Sequence, residues 1–265
     1  MRHQRPRPNK PASRGFRCKP KRTSRGPDSD RILLFGLHAV EAALSNPNRP
    51  VARLMATENA AQRLGALIAK RGVTLEPASP RDLDRLLGPD AVHQGVALET
   101  EALPPIGLDE VSPEGILLVL DQVTDPQNVG AALRSAAAFG AAGLVFTERH
   151  SPPLQGVLAK AASGALDVVP LILIKNLAQG LAELGERGFL RVGLAEEAGE
   201  ALETAALTRP LALVLGAEGK GLRQLTLATC DQVARLDVPG KIKSLNVSNA
   251  AALALYLASK RLASA

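Results

Sequence analysis

Three loops carry polar and basic residues at spacings that can do chemistry. In LDQVTDPQNVGAALRSAAAFG, residues 120–140, Asp125-Pro126 makes a turn and Asn128 stands where it can cap the helix that follows. Arg134 then sits among Gly130, Ala131, Ala132, Ser135 and Ala136. Neighbours this small let another chain segment or an RNA backbone approach the guanidinium. The plainer reading is a solvated arginine on a capped helix. In LALVLGAEGKGL, residues 211–222, glycines at 216, 219 and 221 bracket Glu218 and Lys220. That spacing is neither the dinucleotide fingerprint nor the P-loop pattern. It fits either a loop that brings backbone close to a ligand or a tight turn between strand and helix. In GKIKSLNVSNAAALALY, residues 240–256, Ser244, Asn246, Ser248 and Asn249 crowd the start of an Ala/Leu helix. One polar residue suffices for a cap. The surplus points to side chains that hold a ligand at exposed backbone N–H groups.

Each loop follows an apolar strand. GILLVLD, GLVFT, VVPLILI, FLRVGLA, LALVLG and QVARLDV read as strands. NVGAALRSAAAF, LQGVLAKAA, NLAQGLAELGERG and GLRQLTLA read as helices between them. Near-continuous apolar strands alternating with helices predict an α/β fold, with a mostly parallel sheet covered on both faces. In open α/β sheets, ligands gather at the carboxyl ends of strands, so the three loops can converge. Upstream, ILLFG, LHAVEAALS, VARLMAT, ENAAQRLGALIAKRG, VTLEPA, PRDLDRLL and QGVALET make a smaller α/β unit. The expected organisation is a basic tail over 1–30, the smaller unit over 31–101, a Pro/Gly-marked linker over 102–115 and the larger unit over 116–265.

Composition narrows the function. Of 265 residues, 46% are hydrophobic and 22% charged, as in soluble globular proteins. No apolar run reaches the ~18 residues of a membrane helix, and two cysteines make no disulfide framework, so a cytoplasmic setting without membrane contact is expected. The four histidines are scattered, which speaks against a metal site. Residues 1–30 hold ten of the 32 basic side chains and two of the 26 acidic ones, so the net charge of +6 belongs to the tail. A proline-rich, apolar-poor stretch of this kind is expected to be disordered and to seek phosphate, or else merely to solubilise. With five Phe and one Tyr, the chain lacks the stacking platforms of aromatic single-strand binders. RNA binding would rest on charge, shape and backbone groups.

Asn128-Val-Gly-Ala-Ala-Leu-Arg134, Gly216-Ala-Glu218-Gly-Lys-Gly221 and Ser244-Leu-Asn246-Val-Ser248 resemble the three motifs of the SpoU (TrmH-type) ribose 2′-O-methyltransferases of the SPOUT class. FGLHAVEAAL, HQGVAL and LAKAASGALDVVPLI extend the likeness to the subgroup that methylates a guanosine ribose in 23S rRNA. The resemblance implies a small N-terminal α/β domain that binds substrate RNA and a C-terminal SPOUT domain with a deep trefoil knot. It also implies a homodimer using S-adenosyl-L-methionine and acting on 23S rRNA or its assembly precursor. By position, Leu215, Gly216, Leu236, Gly240 and Leu245 would line the cofactor, and Asn128, Arg134, Glu218, Ser244 and Asn246 the reaction site. Arg134 would steady charge developing on the 2′-oxygen, Asn128 and Asn246 would hold ribose or backbone, Glu218 would fix Arg134 or its own loop, and Ser244 would position the hydroxyl or the cofactor. One departure stands out: Leu236-Asp-Val-Pro-Gly240 replaces the usual Ile-Pro-Met-x-Gly. A transfer-RNA ribose as substrate, a non-catalytic ribosome-assembly factor of the same fold, and a dehydrogenase are the competing readings.

Overall fold

Short runs of branched and aliphatic residues become strands in two separate sheets in a computed structural model, which describes residues 31–149, 151–242 and 244–263. The basic tail and its expected disorder lie outside the described residues. The first sheet holds β1 (Arg31–Phe35), β2 (Val51–Ala56), β3 (Leu75–Pro77) and β4 (Val96–Glu101) in the order β1-β4-β2-β3. Strand β4 runs antiparallel to β1 and β2, and β2 parallel to β3. Helices α1 (Leu37–Ser45), α2 (Glu58–Arg71) and α3 (Pro80–Leu87) connect them. Helix α2 stops at Gly72, as its sequence predicts, because the left-handed φ of 67° is open to glycine. Helix α3 starts on a capping box between Ser79 and Asp82.

The second sheet holds β5 (Ile116–Asp121), β6 (Gly143–Thr147), β7 (Leu171–Ile174), β8 (Leu190–Leu194), β9 (Glu200–Ala201), β10 (Leu211–Gly216) and β11 (Gln232–Arg235). Its order is β7-β6-β5-β10-β8-β11-β9, and its strand pairings are parallel. Helices α4 (Pro126–Ala138), α5 (Val157–Ala162), α6 (Leu177–Glu186), α7 (Gln224–Thr229) and α8 (Val247–Ala263) accompany it. All six residues of β5 are buried. Ile116, Leu118 and Leu120 face the core built with α4, α5 and α8, while Leu117 and Val119 face the core built with α6. A strand buried on both faces needs such a continuous apolar run. VVPLILI is strand only over its last four residues, and a 3-10 turn over Ala165–Asp167 precedes it. Pro170 has no N–H to give a ladder, although its carbonyl still accepts from Leu144.

From β5 the chain moves outward through β6 and β7, then returns on the other side, where β10 enters between β5 and β8. The order of strands therefore switches at the β5/β10 pair, the place where such sheets form a crevice at their carboxyl edge.

The two sheets are clamped to each other. Arg49 Nε donates to Asp167 Oδ1 at 2.8 Å and its Nη1 to the Glu101 carbonyl at 2.8 Å, while Asn46 Nδ2 reaches the same carboxylate at 3.1 Å. Both charged side chains are 2% exposed. The stretch expected as a linker is itself packed: Ile106 bridges to Ile172, and Leu108 and Val111 are buried against the α6 face. No helix among the described residues is long and apolar enough to cross a membrane.

Candidate active site

The carboxyl ends of β5 and β10 lie side by side, with Asp121 opposite Gly216. Leaving β5, the chain is capped by Asp125 and not by Asn128. The Asp125 carboxylate accepts the N–H groups of Gln127 and Asn128 at 3.4 and 3.1 Å. An aspartate before Pro126 at the first helical turn is a better-placed cap than a residue inside that turn. The Asn128 side chain is thereby free to reach across to the neighbouring loops.

It meets Glu218 and Asn246. Asn128 Nδ2 donates to Glu218 Oε1 at 3.2 Å. Asn246 Nδ2 donates to the same oxygen at 2.7 Å and to Asn128 Oδ1 at 2.9 Å. The Val247 N–H adds a third donor to Glu218 Oε1 at 3.2 Å. Asn246 also caps α8, its Oδ1 accepting the Ser248 N–H at 2.9 Å. Three loops far apart in sequence are thus tied through one carboxylate oxygen, which also sits favourably at the amino end of α8. Glu218 Oε2 has no partner among the described residues and remains available to a ligand.

The glycine loop owes its shape to contact with itself. A Cβ on Gly216 would stand 2.1 Å from the Gly221 carbonyl carbon and 2.4 Å from the Leu222 nitrogen. The Gly221 N–H closes the turn on the Ala217 carbonyl at 2.8 Å, and Gly219 and Gly221 take φ of 72° and 62°. Turn chemistry explains the glycines, and the turn in turn presents Glu218.

The small residues of α4 also have a partner within the chain. A Cβ on Gly130 would lie 2.5 Å from the Leu158 carbonyl oxygen, so α4 rests directly on α5. Arg134 is exposed and makes no hydrogen bond or ion pair among the described residues. It lies six positions beyond Asn128, about 9 Å along the helix and about 120° round it, so it does not join the Glu218 cluster of its own chain. Glu218 accordingly fixes the loops and makes no contact with Arg134. Ser244 is exposed and has no hydrogen bond among the described residues. Leu215 is buried, Gly216, Leu236 and Leu245 are half-buried, and Gly240 is exposed. Leu236 follows β11, two strands from β10, which sets it about 10 Å from the Gly216 strand along the same edge.

Sequence alone does not single out Asp121. Its carboxylate is fully buried and accepts the Arg223 N–H at 3.2 Å, Arg223 Nε at 2.8 Å and Thr226 Oγ1 at 2.7 Å. It thereby pins the β10–α7 loop to the end of β5. An acidic residue closing the apolar run ILLVL was the available signal.

Residues 115–256 match the SpoU rRNA Methylase family, and residues 33–106 match the family of RNA 2′-O ribose methyltransferase substrate-binding domains. The chain is 41% identical over 233 residues to the 23S rRNA (guanosine-2′-O-)-methyltransferase of Ralstonia nicotianae, covering 84% of this chain and 93% of that one. It is 39% identical over 234 residues to the enzyme of the same description from Pseudomonas syringae pv. tomato, with 84% and 93% covered. Among solved structures it is similar to the SpoU methyltransferase AviRb of Streptomyces viridochromogenes in complex with AdoMet, at a TM-score of 0.73 and 24% identity over 88% of this chain and 90% of that one. At that identity the likeness is one of fold.

Proposed function

The chain belongs to the SpoU rRNA methylase family, and on that premise we propose that it methylates the ribose 2′-hydroxyl of a guanosine in 23S rRNA, using S-adenosylmethionine. The observation that carries the reading is the meeting of Asn128, Glu218 and Asn246 on one oxygen at the β5/β10 switch. The relatives covering most of their own length and of this chain are described as acting on that RNA, which supports the substrate. The first sheet, matching a substrate-binding family, would hold the RNA against the carboxyl edge.

The cofactor's fit rests on that edge. The end of β10, the stretch after β11 and the stretch before α8 offer backbone groups and half-buried leucines, suited to a flat base with polar rim atoms. Leu215, Gly216, Leu236, Gly240 and Leu245 would hold it there. The last helix, α8, packs on α4, β10 and β5, and we read the knot of this class into the segment that joins β11 to it. When bound, S-adenosylmethionine supplies an electrophilic methyl on a sulfonium.

The chain's own residues then orient and polarise the nucleophile. A ribose hydroxyl is a poor nucleophile at neutral pH, so alignment and charge stabilisation carry the barrier. Asn128 and Asn246, locked by Glu218, hold the ribose or its backbone, and Ser244 positions the hydroxyl or the cofactor. Arg134 stabilises the oxygen as its proton leaves for solvent. A guanidinium keeps its proton, so it serves as a fixed charge and not as a base.

Arg134 makes no hydrogen bond or ion pair with the Glu218 cluster in its own chain, which favours its supply by a second copy. The α4/α8 face supports such a homodimer: Leu253 and Tyr256 are 46% and 45% exposed, and Tyr256 meets the edge of Phe139 at 6.0 Å. We read the assembly as cytoplasmic, where rRNA is matured. Mapping 2′-O-methyl groups in ribosomal and transfer RNA from a deletion strain, with and without the gene restored, tests the assignment. One missing 2′-O-methylguanosine in 23S rRNA is expected. Loss confined to transfer RNA would overturn it.

A further inference from the structure

A second feature lies on the same edge but on the opposite face of the sheet. The ends of β5, β6 and β7, with the starts of α6 and α7, enclose a cavity of about 240 Å³. Gln122, Thr147, Arg149, Lys175, Asn176 and Arg223 line it. None of the residues expected to hold the cofactor, and none of the Asn128–Glu218–Asn246 cluster, does so. By the same measure one water needs ~10–15 Å³, so the cavity admits a group far larger than a water.

Its chemistry is that of an anion site. Arg149 and Lys175 are exposed and make no side-chain hydrogen bond or ion pair among the described residues. Arg223 is held differently. Its Nε and one terminal nitrogen are fixed on Asp121 Oδ1, both at 2.8 Å, and its side chain is still 46% exposed. The guanidinium is therefore oriented by a carboxylate that is itself fully buried, with N–H groups left over for the cavity. Asp121 offsets one of the three charges, so the lining keeps an excess of two. Asn176 caps α6 by accepting the Gln179 N–H, which leaves the Leu177 and Ala178 N–H groups of that ten-residue helix, both lining the cavity, without a backbone acceptor.

The cavity shares both of its principal loops with the proposed reaction site. Gln122 lies on the β5–α4 connection that leads to Asn128 in the first turn of α4, and Glu218 and Arg223 lie on the β10–α7 connection. Five residues of chain span at most ~18 Å, so an anion held by Arg223 is within a few nucleotides of a ribose held at Glu218. We propose that this cavity is a phosphodiester subsite, in which Arg149, Lys175 and Arg223 take a backbone phosphate of the RNA strand near the modified nucleotide. The inference rests on the function proposed above. It adds a binding contact outside the substrate-binding sheet that sets the strand's register on the catalytic face.

The test compares the full chain with Arg149→Gln/Lys175→Gln, which leaves the Asp121–Arg223 pair in place. Affinity for a 23S rRNA fragment is measured by filter binding across a salt series, alongside methyl transfer and S-adenosylmethionine binding. The variant should bind RNA about 10-fold more weakly near physiological salt, with a salt slope shallower by about one ion. KM for RNA should rise in step, with kcat within two-fold and cofactor affinity unchanged. The pair Lys160→Gln/Arg209→Gln removes the same charge away from the cavity and should cost less than two-fold. Wild-type RNA affinity in the cavity variant overturns the proposal, and so does an equal loss in the control pair. Loss of inorganic phosphate binding without loss of RNA binding would mark a free-anion site and also overturn it. A wild-type chain that binds the fragment but transfers no methyl would refute the proposed function, while the affinities still decide the cavity.

Discussion

Replacing Gly216 by alanine should cripple turnover while leaving the fold in place. The backbone at Gly216 needs no left-handed φ, so the penalty is steric. The added Cβ would sit 2.1 Å from the Gly221 carbonyl carbon, 2.2 Å from its oxygen and 2.4 Å from the Leu222 nitrogen, where ordinary contact begins at 3.4 Å. All three are backbone atoms, so the 217–222 loop must retreat by roughly 1 Å or more. Overpacking of this kind costs about 1–3 kcal/mol of stability. Glu218 travels with the loop, and its 2.7 Å bond to Asn246 would stretch beyond hydrogen-bond range. A misplacement of about 1 Å at a reacting centre costs on the order of 10²-fold in rate. Gly219→Ala is the matched control: nothing lies within 4 Å of its Cβ, but its φ is +72°. That variant should lose about 1 kcal/mol from backbone strain and keep kcat within a few-fold. Single-turnover methyl transfer to a 23S rRNA fragment, paired with urea unfolding, reads both effects. Equal kcat for Gly216→Ala and wild type, or equal losses in the two variants, would refute the claim that the folded-back loop positions Glu218.

Other substitutions probe separate parts of the account. Arg134→Ala should lower methyl transfer by at least ~10²-fold with S-adenosylmethionine affinity near wild type, as expected of an electrostatic group; turnover within a few-fold would contradict the role. Arg49→Ala should cost about 3–5 kcal/mol in urea unfolding, because it strands the buried Asp167 carboxylate; a loss below about 1 kcal/mol would show the clamp to be dispensable. Burial raises the Cys230 thiol to about 11, so its thiolate fraction at pH 8 is about 0.1%, against roughly a quarter for a free thiol. In a Cys18→Ser background, iodoacetamide should label Cys230 at least ~100-fold more slowly than free cysteine, speeding up as pH climbs toward 11, and a rate within ten-fold would contradict the burial. Deleting residues 1–30 should flatten the salt dependence of RNA binding; an unchanged slope would leave the tail a solubiliser.

Much of this was legible in the sequence because the parallel sheet demands it. Runs such as ILLVLD and LALVLG are apolar at every position, which only a strand covered on both faces requires. The motif loops could be named because each follows one of those runs. What periodicity did not give was partnership across long separations. Position in the sequence makes Asn128 a cap candidate, although Asp125, three residues earlier, does that work and frees it. The small residues around Arg134 suggest room for an approaching segment, and the structure fills part of that room with α5. Asp121 does not stand out in the sequence because its role appears only when Arg223 and Thr226, more than a hundred residues later, fold onto it. The clamp between Arg49 and Asp167 is of the same kind, since neither residue looks special beside its sequence neighbours.

Methyl transfer itself is read by incubating the purified full chain with methyl-labelled S-adenosylmethionine and 23S rRNA, digesting the RNA to nucleosides and identifying the labelled product. Label is expected in 2′-O-methylguanosine at one site, at least ~10²-fold reduced for Arg134→Ala. Label on a base, or none at all with a folded protein that binds both ligands, would contradict the proposed function.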